Sequence, residues 1–193
     1  MAEIVARPAG LGITPPCFIG VGRYGSIMVE EGVVTMDGRP VLGALLDPAS
    51  DSQVRELSFA LARDSDAPVQ FLSPLQTPDS SVQQVASVPA DGPPVRYTSA
   101  AETEQTGRSP AAVVAQEATT ASAGVVVVGR PAAESGGAGI RRGVTERIVA
   151  TAGTDTVVAN GQGDLTDLAS ILVPVVGGPN TKLAVNTARA LAK

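Results

Sequence analysis

Val125-Val126-Val127-Val128-Gly129-Arg130 is the stretch that decides the fold. Four successive β-branched residues leave no polar face, so the strand they predict is buried on both sides. That environment belongs to the interior of a parallel sheet covered by helices. Immediately upstream, Ser109-Pro110 opens a predicted helix to about Ser122, because serine caps free amides and proline fits the first helical position. Downstream, residues 140–152 predict a helix with Val144, Ile148 and Val149 inward, followed by a strand at Thr156 to Ala159.

The same alternation holds towards the N-terminus. Val41 to Leu46 is a continuous apolar run of strand length, and Asp51 to about Arg63 is a helix with Val54, Leu57 and Leu61 on one face. Asp51 or Ser50 is the expected cap of that helix. Val69 to Leu72 and Pro94 to Thr98 are further strands, and the Pro-, Ser-, Gln- and Asp-rich residues 73–93 read as a loop. Strands that alternate with helices specify βαβ units, hence an α/β fold: a five-stranded parallel sheet with helices on both faces.

Outside this module the pattern changes. Residues 1–38 carry glycine or proline at every point where a helix would need continuity, and read as an irregular N-terminal segment with short strands at 27–29 and 33–36. Residues 39–160 form the α/β domain, and 161–170 a linker. Ile171 to Lys193 then aligns without a gap on Val41 to Arg63, from I-L or V-L to A-L-A-K or A-L-A-R. Residues 171–193 therefore read as the first strand and helix of a truncated second repeat, as in a piece of a longer protein. Such a strand should seek an edge, on the first domain or on another chain.

Composition removes whole classes of chemistry. The 193 residues contain no His and no Trp, one Cys and 3% aromatic residues. Histidine triads, histidine zinc sites and imidazole acid–base catalysis are excluded, as are a disulfide within the chain and a multi-cysteine metal site. A net charge of -5 lacks the basic footprint of a nucleic-acid binder. No apolar run approaches the ~20 residues of a membrane span, so direct membrane insertion is not expected. The expected location is the cytoplasm, which the single cysteine fits.

Two glycine motifs compete for a functional role. Gly20-Val21-Gly22-Arg23-Tyr24-Gly25 is a literal G-x-G-x-x-G, but Pro15-Pro16 precedes it and no helix opens after it, so it reads as a chance match rather than a dinucleotide fingerprint. Gly129 ends the four-valine strand, where a glycine lets backbone amides approach phosphate. Gly136, Gly137, Gly139, Arg141 and Arg142 follow, and the stretch reads either as an anion site or as a crossover loop with two solvated arginines.

The run from Val125 to Ala159 resembles the C-terminal half of the universal stress protein (UspA-type) family, and I171-L-V-P-V-V-G-G-P-N-T-K resembles that family's opening strand and turn. The resemblance implies flavodoxin-like layering and a homodimer or tandem pairing through the last strand. It also implies ATP binding in some members, through G-x-x-G followed nine residues later by Gly and Ser or Thr. With Gly129 on the first glycine, the second is Ala132, the third Arg142 and the hydroxyl residue Gly143. The motif is eroded. The family's acidic residue ending the first strand falls near Asp47, with a one-residue slip, and Asp47 serves equally well as a helix cap.

Candidate binding residues are thus Asp47, Gly129 and Gly143, with ATP and magnesium as the alternative to no cofactor. No catalytic or metal-ligating constellation is present. Glu30-Glu31 and Glu102/Glu104 read as solvated charge, Ser135 and Thr145 lack a base, and nothing activates Cys17. The expected function is regulation or binding in a stress response, or control of an attached or separate membrane transporter, with weak or no ATP binding. A slow ATP-hydrolysing switch is the alternative.

Overall fold

A computed structural model describes residues 2–8, 17–22, 38–74, 92–99, 108–131, 143–160, 165, 168–172 and 180–192. Its elements are β1 (Ala2–Pro8), β2 (Cys17–Gly22), β3 (Val41–Ala44), α1 (Pro48–Ser65), β4 (Val69–Ser73), β5 (Val95–Ser99), α2 (Pro110–Thr120), β6 (Val125–Gly129), α3 (Val144–Thr151), β7 (Asp155–Asn160), β8 (Leu168–Leu172) and α4 (Asn180–Leu191). They build an eight-stranded sheet in the order β5-β4-β3-β6-β7-β2-β1-β8. The first five strands in that order run parallel, as the alternation of strands and helices requires.

β6 lies inside the parallel part, between β3 and β7, and Val125 to Val128 are fully buried. Odd and even positions serve different cores. Val125 and Val127 join Val41, Leu45, Val54, Leu57, Leu61 and the α4 residues Leu183, Ala184 and Ala190 on one face. Val126 and Val128 join Leu42, Ala44, Leu72, Val114, Ala118 and Ile148 on the other. α1 and α4 therefore cover one face of the sheet and α2 and α3 the opposite face. Each buried valine contributes about 1.5–3 kcal/mol from apolar surface removed from water.

α2 begins where Ser109-Pro110 predicts: the Ser109 hydroxyl accepts from the Ala112 amide at 3.3 Å, with proline in the first turn. Ser109→Ala is expected to lose about 1 kcal/mol, read as a lower urea midpoint at unchanged slope. α1 starts earlier than expected. Asp47, and not Ser50 or Asp51, is its cap, and Pro48 occupies the first turn. The helix gains a turn that buries Ser50 and Asp51.

Three readings from the sequence change. Residues 1–38 are not irregular throughout, because β1 and β2 form an antiparallel hairpin whose β2 pairs with β7 from Phe18↔Asn160 to Gly22↔Thr156. Glycine and proline break helices but permit short strands, and the partner that specifies these strands lies far away in the chain. The short strands expected at 27–29 and 33–36 lie outside the described residues. Residues 161–170 are not wholly linker, since β8 starts at Leu168 and pairs antiparallel with β1. The strand of residues 171–193 thus finds its edge on the same sheet, and α4 packs into the α1 face instead of founding a separate core. Arg189 of α4 bonds Asp64 of α1 at 2.8 Å. Gly20 and Gly22 sit within β2 itself, whereas a dinucleotide fingerprint follows its strand; the residues after Gly22 lie outside the described residues.

Candidate functional site

In an open parallel sheet, the edge where the strands end is the place where ligands gather. The parallel pairing of β3 with β6 and of β6 with β7 sets Asp47 and Gly129 at this edge, and Gly143 joins them as the N-cap of α3. The three residues singled out in the sequence therefore share one side of the sheet. What surrounds each of them decides what the edge can do.

Asp47 closes the first turn of α1. Its Oδ1 accepts from the Ala49 amide at 3.0 Å, and its carbonyl accepts from the amides of Ser50 and Asp51 at 2.9 and 3.1 Å and from the Ser50 hydroxyl at 3.2 Å. The capping reading of Asp47 is realised in full. Gly129 faces the same helix. A Cβ built on it would lie 2.2 Å from Ser50 Oγ, 2.5 Å from Ser50 Cβ and 3.2 Å from Val54 Cγ2. The space that the missing side chain opens is filled by α1 and leaves no room for phosphate on that side.

The opposite side of the edge is held by α3. The Thr145 hydroxyl, buried, donates to the Gly129 carbonyl at 3.4 Å, so it too is directed at backbone, as the Ser50 hydroxyl is at the Asp47 carbonyl. Gly143 caps α3 without a side-chain bond, and its carbonyl accepts from the Arg147 amide at 3.2 Å. Arg130 continues past β6 with its amide donating to the Ala159 carbonyl at 2.9 Å, and its guanidinium grips Glu146 at 2.7 Å. Arg130 and Glu146 are not among the candidate binding residues read from the sequence, where Glu146-Arg147 only matches the helical Glu-Arg of the resemblance. Arg130 Nε and Glu146 Oε2 are buried without a partner. Ala132, Ser135 and Arg142, and the glycines between them, lie outside the described residues.

A second group sits on the α1 side, towards β4. Asp51 is 7% exposed and its Oδ1 has no hydrogen-bond partner. Burial pushes its carboxyl up to about 6, against the opposing pull of the Arg55 guanidinium and a backbone hydrogen bond at Asp47. Ser73, ending β4, is buried with an unpartnered hydroxyl, and Arg55 Nε is likewise buried and unpartnered. Arg55 also reaches the field of Tyr97, whose phenol is raised by burial and which stacks on Phe71 at 5.3 Å.

Among the described residues no cluster of three or more His, Cys, Asp or Glu could hold a metal ion, and no helix is long and apolar enough to cross a membrane. Glu30, Glu31, Glu102 and Glu104 lie outside the described residues, and Cys17 opens β2. No family model, curated protein or solved structure matches the chain.

Proposed function

We propose that this chain is a binding or regulatory module of the universal-stress-protein type, acting through protein contacts, with weak or no nucleotide binding. The observation that carries the reading is the seat of Ser50 and Val54 against Gly129, which uses the glycine for helix packing. The Asp47 cap and the Arg130–Glu146 pair support it, since both engage locally the groups that a nucleotide would need. On this reading the module works in the cytoplasm, in a stress response or on an attached or separate partner such as a membrane transporter.

A second reading, an ATP-binding switch with slow hydrolysis and magnesium, draws on the convergence of Asp47, Gly129 and Gly143 at one edge. Titration calorimetry with ATP and magnesium separates the two. No heat at millimolar ATP is the expected result. Micromolar binding that disappears in Gly143→Asp would overturn the proposal, because an aspartate there caps α3 well while repelling phosphate.

A further inference from the structure

β7 and β8 are consecutive strands in the chain, yet they stand two strands apart in the sheet. The space between them is a slot two strands wide, walled by the outer edge of β7 and the inner edge of β8. The β1–β2 hairpin fills it, with β2 on β7 through five residue pairs and β1 on β8. Every strand neighbour of the hairpin outside itself comes from residues 155–172, so its contacts are remote from its own place in the chain. Backbone pairing on both sides gives such a slot affinity for an added two-strand unit.

The connection to the rest of the chain does not dictate which slot is filled. β2 ends at Gly22 opposite Thr156, and β3 starts at Val41, aligned through β6 with Asp155. Both ends therefore lie at the same end of the sheet, three strand spacings or about 14 Å apart. Residues 23–40 between them reach about 60 Å when extended. That length serves the hairpin's own slot and equally the slot of a neighbouring molecule.

We propose that the hairpin is exchangeable, and that the slot between β7 and β8 is a docking site for the β1–β2 hairpin of a second copy of this chain. A swapped dimer repeats every strand pairing of the monomer, so the two differ mainly in the entropy of closure. For two segments joined by a connection of this length, the effective concentration is on the order of millimolar. At micromolar protein the chain fills its own slot, and refolding at millimolar concentration traps exchange.

The direct test is a disulfide between positions 19 and 159, which face each other across β2 and β7. The variant is Ile19→Cys with Ala159→Cys and Cys17→Ser in the full chain. Oxidised at micromolar concentration, it should run as a monomer on a non-reducing gel. Refolded at millimolar concentration, it should yield a dimer joined by the same disulfide. Deleting residues 23–38 leaves a reach of about 10 Å between Gly22 and Val41, short of the about 14 Å that its own slot requires, and should make the dimer dominant at micromolar concentration. Monomer alone after refolding at millimolar concentration overturns the proposal. So does failure of the disulfide to form, which would mean that the hairpin does not lie on β7. If the deletion variant does not fold, the cysteine pair in the full chain still decides.

Discussion

Gly129→Ala is expected to lower stability by about 3 kcal/mol, although the change adds a single methyl group. The new Cβ would stand 2.2 Å from Ser50 Oγ and 2.5 Å from Ser50 Cβ, distances at which something has to move. Ser50 cannot retreat easily, because its amide and its hydroxyl both bond the Asp47 carbonyl at the start of α1. β6 cannot retreat either, being paired on both sides and buried on both faces. Overpacking in such a place typically costs about 1–3 kcal/mol and occasionally more. Urea unfolding should show a lower midpoint without a change in slope. The cause is checked by relief: Ser50→Gly alone should cost about 1 kcal/mol of helix propensity, yet in the Gly129→Ala background it should restore stability. A coupling energy above about 1 kcal/mol is expected from the double-mutant cycle. Additive losses would show that Gly129 is needed for something other than the seat of Ser50.

This packing explains which parts of the molecule the sequence announces. β3, β6, α1 and α2 are specified by local pattern, because a strand buried on both faces and a helix with one apolar stripe each carry their period in the residues themselves. The cap of α1 was equally legible, since Asp47-Pro48 has the same grammar as Ser109-Pro110, which marks α2 correctly. The sequence offers Asp47 as a cap beside Ser50 and Asp51, and the choice among the three rests on where the helix meets β3, which the local pattern does not fix. The hairpin is a different case. Residues 2–8 and 17–22 become strands through pairing with β7 and β8, contacts separated by well over a hundred residues, for which no local period exists. The edge of the sheet was half legible. Asp47, Gly129 and Gly143 lie along the same edge, but the seat of Ser50 on Gly129 and the grip of Arg130 on Glu146 depend on how α1 and α3 dock, which no spacing records.

Asp51→Asn is expected to make the protein more stable at pH 7 and to leave it unchanged near pH 4. Asp51 lies in the first turn of α1, where a carboxylate ordinarily gains from the helix dipole, but here it is buried with Oδ1 unpartnered. Desolvation outweighs both the Arg55 guanidinium and the backbone hydrogen bond at Asp47, and the Asp47 carboxylate adds to the rise; the carboxyl titrates at about 6 instead of 3.8. The folded state thus holds the Asp51 proton more tightly than the unfolded chain does. The stability that this protonation supplies is complete below pH about 4, and it is lost as pH rises through about 6. A difference of about two pH units corresponds to about 2–3 kcal/mol lost at neutral pH. Asparagine keeps the shape without the charge, so the difference in stability between Asp51→Asn and the native chain should grow from near zero at pH 4 to about 2 kcal/mol at pH 7. Subtracting the two urea series at each pH removes the carboxylates that do not interact with Asp51, leaving its own titration and its coupling to Asp47. A flat difference across this range would show that Asp51 reaches solvent or finds a partner. A difference of opposite sign would show that its charge is held by Arg55 more strongly than burial opposes it.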